Sequence, residues 1–426
     1  MKAIGIDLGT TSVCGAVIDV NTGEVLKSRT ESSNAFVCSD KAYEKIQDPK
    51  KIICLALEIL NSLIDGEVAS IGVTGQMHGI VYFDKEGAAV SPLYTWQDGR
   101  GNELYKNTTY AKHLGSFSGY GNVTDFYNRE NGLVPKTAVG YCTIHDYLVM
   151  KLCGLKRPII HSSDAASLGL YDITKNVFNY PFSDEITTDY RIAGTYKGIR
   201  VSVAIGDNQA SVFSTLKDEN DLLINVGTGS QVSIISDKVV SGENLETRPY
   251  FENKFLIVGA ALCGGRAYSM LKNFYKEVLC FTKDFSDEKI YEIMGKMIEK
   301  AKSTTLSVDT RFAGTRKNPA LCGSIRNITT ENFNCGELTR ATLCGMSTEL
   351  YDLYSEMGQR RSGLVASGNG IRKNPYFVKI LSEKFGAQVK IPTHLEEAAV
   401  GAALFSLISA GIFKNEAEAK RCIRYS

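Results

Sequence analysis

Two short turns built alike, one in each half of the chain, constrain its fold more than any other feature. Residues 4–12 read IGIDLGTTS and residues 223–230 read LINVGTGS. Each sets Gly-Thr between apolar runs, which continue as VCGAVIDV (13–20) and QVSIIS (231–236). An apolar run on either side of a glycine-bearing turn is a hairpin signature. Two copies imply two halves on one plan. With no Pro-rich, Ser-rich or charged linker between them, the repetition puts the boundary near 215, giving domains of 1–214 and 215–426. A chain of 426 residues fits two such cores better than one.

The stretches around the turns specify the class. After the first hairpin, EVLKSRT (24–30) reads as a third strand, and PKKIICLALEILNSLI (49–64) has apolar residues at helical spacing. SIGVTG (70–75) is a buried strand, GIVYFDKEG (79–87) opens a further hairpin, and 142–152 reads as a helix. VSVAIGD (201–207) is a strand ending in an acid, followed by a helix over 208–216. Antiparallel strands followed by helix and strand make mixed α/β sheets flanked by helices.

Composition removes several classes. A net charge of +1 gives no reason to expect nucleic acid, and no apolar stretch reaches the ~20 residues of a membrane span. The N-terminus enters a strand directly, without the pattern of a signal peptide. Eleven cysteines include no C-x-x-C pair, and the five histidines are dispersed. That usage implies reduced thiols, a cytoplasmic protein and no zinc site.

A Gly-Thr turn presents backbone N–H groups and hydroxyls with little side chain in the way, which suits phosphate. There is no G-x-x-x-x-G-K-[ST], no G-x-G-x-x-G and no H-R-D/D-F-G set. Asp7, at a strand end beside such a turn, can hold magnesium through water. Taken alone, DLGTTS is equally an ordinary hairpin turn, since Asp, Gly and Thr are common there. Asp207 has its own plain alternative as a helix cap.

Further blocks run in order along the chain: VTGQMHG (73–79), TWQDGR (95–100), IGDNQAS (205–211), NVGTGS (225–230) and EAAVGAAL (397–404). With the two hairpins they resemble the FGGY carbohydrate kinases of the actin-like ATPase superfamily. TWQDGR and TIHDYLVMKLCGL (143–155) look most like the sedoheptulokinase branch, while GQMHG is shared with xylulokinases. SGNGIRKNP (367–375) stands where many relatives have a glycine triplet.

The resemblance implies two actin-like, ribonuclease-H-like domains with the active site in the cleft between them. ATP and Mg2+ would serve as cofactors and a free ketose as substrate. Phosphorylation would fall on the terminal primary hydroxyl, with sedoheptulose first and xylulose or another pentulose as the alternative. A nucleotide-switched, actin-like binding protein would have no use for GQMHG and TWQDGR. A homodimer is one oligomeric option.

By the same resemblance Asp207 is the proton acceptor. Asp7 is the second carboxylate, and the two hold magnesium through water. Gln76, Met77, His78, Trp96, Asp98 and Asn208 would contact the sugar. Asp98 would accept from a hydroxyl, with Arg100 either joining it or pairing with it. Trp96, the only tryptophan, would be a flat wall of that site or else a core residue. The loop GYGNVTDFY (119–127) would line its other side. Gly9, Thr10, Thr11, Ser12, Thr228 and Gly229 would meet the phosphates. Gly264, Gly265, Gly368 and Asn369 would let backbone approach the nucleotide. THLEEAAVGAALFSL (393–407) opens on a capping box, Thr393 with Glu396, and its small residues favour close helix packing.

Overall fold

The computed structural model describes residues 1–279, 284–301, 303–315, 318 and 320–426. These form two compact units.

The first unit holds residues 1–217, 248–254 and 394–424. Its sheet has seven strands, ordered Ile192–Tyr196, Ile199–Ser202, Val68–Gly75, Lys2–Leu8, Ser12–Asp19 and Val25–Ser32, with Ile205–Gly206 also paired to Val68–Gly75. Lys2–Leu8 runs antiparallel to Ser12–Asp19 and parallel to Val68–Gly75. Its residues are buried almost continuously, as a strand covered on both faces must be.

What covers each face follows from alternation along the strand. Ile4 and Ile6 join a core with Ile52, Ile59, Leu60 and Leu63 of the helix Pro49–Leu63. Gly15 belongs to that face, where an added Cβ would lie 2.5 Å from Leu63. The opposite face is made of glycine. A Cβ at Gly5 would lie 1.7 Å from Ala399 O, and one at Gly72 would lie 1.9 Å from Ala402 O. The helix Glu397–Ser409 therefore rests directly on strand backbone, which only small residues on both partners allow.

This packing corrects the expected division at 215: residues 394–424 belong with the first sheet. Similarity between the two hairpins cannot show that the chain returns. Residues 248–254 return too, placing fully buried Phe251 beside Phe213 and Phe405, with ring centroids 5.3 and 5.2 Å away. The capping box is a further correction. The helix begins at Glu397 with Glu396 as N-cap and no side-chain cap, which leaves Thr393 outside it. Residues 119–127, expected as a loop, fall largely in the helix Gly121–Glu130. Val123 and Tyr127 pack there with Tyr110, and that burial outweighs the weak helix propensity of Gly and Asn.

The second unit repeats the plan. Asp221–Val226 runs antiparallel to Ser230–Ser236 and parallel to Gly363–Ser367, and Phe255–Ala261 pairs with Ser230–Ser236. Leu245–Pro249 and Val389–Lys390 complete a sheet of six strands. Its core includes Leu222, Ile224, Val232 and Ile257 together with Leu343 and Leu350 of the helix Cys335–Glu356. No helix among the described residues is long and apolar enough to cross a membrane.

Candidate active site

Three neighbouring parallel strands of the first unit end together. Leu8 pairs with Gly75, and Gly75 with Gly206. Asp7, the turn 76–79 and Asp207 are thus gathered at one set of carboxyl ends, the usual location of ligand sites in α/β sheets. The ends are tied to one another: Gln76 N donates to Leu8 O (2.9 Å), and Thr74 Oγ1 donates to Ile205 O (2.7 Å).

Asp207 is the first residue of the helix Asp207–Thr215, after Gly206 as N-cap, and no side chain caps that helix. Asp207 is thus not the N-cap, although the Asn208 N–H at the helix start acts on its carboxylate. Gly206 beside it is packed closely, since a Cβ there would lie 2.7 Å from the Met77 methyl and 2.6 Å from Gln209 Oε1. Met77 thus packs against the residue that precedes Asp207. Asn208 accepts from Arg248 Nη1 (3.1 Å).

The two carboxylates are electrostatically uncomfortable. Burial, then the charge of Asp207, pushes Asp7 up to about 7, against the pull of His145. Asp207 is raised mainly by burial, with His145, Arg248 and the Asn208 N–H pulling it down. Asp7 Oδ1 is buried without a hydrogen-bond partner. An unpartnered Asp7 oxygen within the field of the Asp207 carboxylate suits a small divalent cation such as Mg2+, and perturbed acids in such a place mark functional sites.

The GQMHG turn is held from several sides. Gln76 Nε2 donates to Gln47 Oε1 (2.9 Å), and Gln47 Nε2 donates to Thr10 O (2.6 Å). His78 takes φ 75°, a conformation unusual for a non-glycine residue. Its N–H donates to Ser167 Oγ (3.2 Å), and its Nδ1 lies 2.8 Å from Ser167 O, which fixes the Nδ1–H tautomer. Its ring stacks on Tyr120 at 4.2 Å and 13°.

Trp96 is 47% exposed, so it is not a core residue. Its Nε1 donates to Thr10 Oγ1 (2.9 Å), and the Thr10 hydroxyl retains its own proton to donate. Gly119, at φ 84°, closes on Trp96, where a Cβ would lie 2.0 Å from Trp96 O. Residues 119 and 120 thereby link Trp96 to His78. The His78–Tyr120 stack is thus joined through residue 119 to the Trp96 backbone, and the Trp96 indole is bonded to the first hairpin.

Asp98 requires correction. Its Oδ1 accepts from Arg100 N (3.1 Å) and Nε (2.6 Å), and its Oδ2 from Arg100 Nη2 (3.2 Å) and Lys45 N (3.1 Å). With four donors on a buried carboxylate, nothing is left for a sugar. Arg100 also donates to Asn128 Oδ1 (2.5 Å) and stacks over Tyr94 at 4.2 Å. The pair is an internal brace for the Trp96 segment.

In the first hairpin Thr11 O accepts from Ser33 N (2.9 Å), which pins Gly9, Thr10, Thr11 and Ser12 to the third strand. In the second unit, Gly265 N donates to Gly227 O and Arg266 N to Thr228 O, both at 3.0 Å. The helix Gly264–Leu279 thus holds the carbonyl side of the Thr228–Gly229 turn. A Cβ at Gly264 would lie 2.4 Å from Gly229 C, and one at Gly265 2.5 Å from Gly227 O. These glycines are therefore needed for the protein's own backbone. Gly368, at φ 89°, would place a Cβ 2.5 Å from Val226 O, and Asn369 follows it in the same turn. Where the first hairpin has Asp7, the second has Asn225, which donates to Ser367 Oγ (2.8 Å). Only the first copy carries the carboxylate.

The family models for the N- and C-terminal domains of the FGGY carbohydrate kinases match residues 2–193 and 222–410. The chain belongs to this family. Sedoheptulokinase of Mus musculus is 29% identical, over 95% of this chain and 97% of that protein. A xylulose kinase of Staphylococcus epidermidis is 22% identical, over 96% and 88%. The solved xylulose kinase of Rhodospirillum rubrum superposes with a TM-score of 0.86 at 18% identity, over 100% and 93%. This FGGY kinase also contains site features that the sequence reading missed: Gln47, Arg248, Ser163 and a buried group of His145, Asp146 and Asp164. For His145 and Asp146 the signal was polar residues set within an apolar stretch, IHDYLVM.

Proposed function

We propose that this carbohydrate kinase transfers the γ-phosphoryl group of ATP to the terminal primary hydroxyl of a free ketose, with sedoheptulose the preferred acceptor. The arrangement of Asp207 carries the reading: a carboxylate at a strand end, after Gly206, which packs on Met77 of the GQMHG turn, with Asp7 at the same edge on the far side of Val68–Gly75. The preference for sedoheptulose is supported by the 29% identity to the mouse sedoheptulokinase across nearly both full lengths.

In this reading Trp96, Tyr120 and His78 form the apolar face of the sugar site. Gln76 and Asn208 supply polar groups for hydroxyls. The wall orients the acceptor, and orientation is most of what phosphoryl transfer asks of a protein. Asp207 accepts the hydroxyl proton; burial raises its basicity while His145 and Arg248 keep it ionisable. Asp7 and Asp207 would hold Mg2+, which neutralises phosphate charge when bound. Gly9 to Ser12 offer N–H groups and the Thr10 hydroxyl to phosphate. In the second unit, Thr228, Gly229, Gly368 and Asn369 are assigned to the nucleotide. Scattered reduced cysteines fit a cytoplasmic setting.

Asp207→Asn tests the assignment. It keeps the side chain's size but cannot take the proton, so kcat should fall about 10²- to 10⁴-fold with ketose binding retained. Turnover near that of the unaltered protein would remove Asp207 from the mechanism.

A further inference from the structure

Three aromatic rings lead outward from the GQMHG turn. His78 stacks on Tyr120 with ring centroids 4.2 Å apart, and Tyr120 in turn lies 5.6 Å from the ring of Phe117, tilted by 53°. His78 and Tyr120 are half-buried, whereas Phe117 is 57% exposed. The row therefore runs from the strand ends towards solvent, with Phe117 outermost.

The segment that carries Phe117 is tied down along its length. Ser116 N donates to Ala111 O (2.9 Å), and Tyr120 N donates to Phe117 O (3.4 Å). Ser118 Oγ donates to Asp98 O (3.0 Å), and a Cβ at Gly101 would lie 2.8 Å from Ser118 Cα. Gly119 closes on the Trp96 backbone, and a Cβ at Gly169 would lie 2.9 Å from the Tyr120 ring and 3.1 Å from Ser116 Oγ. Residues 118 and 119 thus press on the segment 96–101, while the rings of 117 and 120 meet each other. Lone apolar side chains at a surface are ordinary. Phe117 is not alone: Trp96, itself exposed and bonded through its indole to Thr10, belongs to the backbone on which Gly119 packs. Aromatic rings held open on a fixed backbone, with a few polar groups beside them, have the composition of a small-molecule site.

Resting on the ketose reading above, we propose that Phe117 is a specificity-determining residue: it contacts the end of the acceptor farthest from the phosphorylated hydroxyl and so favours a seven-carbon ketose over a five-carbon one. The order of the rings gives the direction. Gly206, which precedes Asp207, packs on Met77; His78 follows Met77 in the turn, and Tyr120 and Phe117 come after it. A ketose whose terminal hydroxyl is at Asp207 extends along this row. A pentulose ends earlier, and the two additional carbons of a heptulose bring C–H surface to the last ring. Phe117 has no polar side-chain atom, so its share is apolar contact, with no part in the chemistry.

Steady-state kinetics of the full-length protein with sedoheptulose and with xylulose test this, in the unaltered protein, Phe117→Ala and Phe117→Tyr. Phe117→Ala should lower kcat/KM for sedoheptulose about 10-fold, the worth of one methylene group in an apolar site. The loss should fall on KM rather than kcat, and xylulose should be nearly unaffected. Phe117→Tyr, which keeps the ring, should stay close to the unaltered protein with both sugars. An unchanged ratio between the sugars in Phe117→Ala overturns the proposal. So does an equal loss with both, or a variant that fails to fold, since either makes the ring a prop for its loop. Xylulose turnover without sedoheptulose turnover in the unaltered protein overturns it as well. Turnover of no ketose would remove the proposed function and this role with it, whereas turnover of both sugars at a ratio that Phe117→Ala leaves fixed removes the role alone.

Discussion

Asp7→Asn should make the protein more stable while making it a worse kinase. An ordinary aspartate titrates near 3.8, and Asp7 is raised to about 7 by burial and by Asp207. Between those values the unfolded chain has released the proton and the folded one still binds it. Stability therefore falls as pH rises from about 4 to about 7 and stays reduced above that. The full interval corresponds to ~4 kcal/mol at pH 8. That is an upper bound, because Asp7 is only partly covered as a residue and its surroundings can relax; ~1–2 kcal/mol is a realistic share. Asparagine removes the titrating group without changing the shape. Thermal melts in EDTA should show the two proteins close together at pH 4 and the variant about 2–6 °C higher at pH 8. A variant equally or less stable at pH 8, or a gap that does not grow between the two conditions, would refute the electrostatic account of this site.

Trp96 should report on the sugar site directly: a ketose substrate should change its emission saturably without ATP, and Thr10→Val should shift the emission of the free protein by removing the indole's acceptor. A substrate that is phosphorylated without moving the signal would take Trp96 out of the wall. Arg100→Ala should cost about 3–5 kcal/mol in urea unfolding, as loss of one partner of a buried ion pair does. Arg100→Lys should not restore it, since an ammonium lacks the planar fork that meets both Asp98 oxygens. Stability equal to the unaltered protein in either variant would contradict the bracing role.

What the sequence made legible was local. A Gly-Thr turn between apolar runs declares a hairpin within a dozen residues, and both copies form where they were read. The helix after Asp207 and the helix 49–63 follow from period and turn chemistry alone, while the single strand expected over 201–207 forms as two pieces, Ile199–Ser202 and Ile205–Gly206. What was hidden depends on contacts between distant segments. Asp98 and Arg100 have the composition of a sugar site, and only burial with Lys45 and Asn128 shows that their bonding is already complete. Gly264 and Gly265 looked like room for a nucleotide, yet the backbone they admit is that of residues 227–230. His145 and Asp164 are nineteen positions apart in the sequence, and nothing in their spacing reveals that their side chains meet. Gly5 and Gly72 read as plain strand residues until Ala399 and Ala402 arrive from the far end of the chain.

The most direct test of the whole account is ADP release measured with ATP and Mg2+ against sedoheptulose, xylulose, ribulose, fructose and glycerol. Sedoheptulose should give the highest kcat/KM, with the pentuloses lower and glycerol lowest. Xylulose as the best acceptor would keep the chemistry and overturn the substrate. Turnover of no ketose in the panel would contradict the proposed function itself.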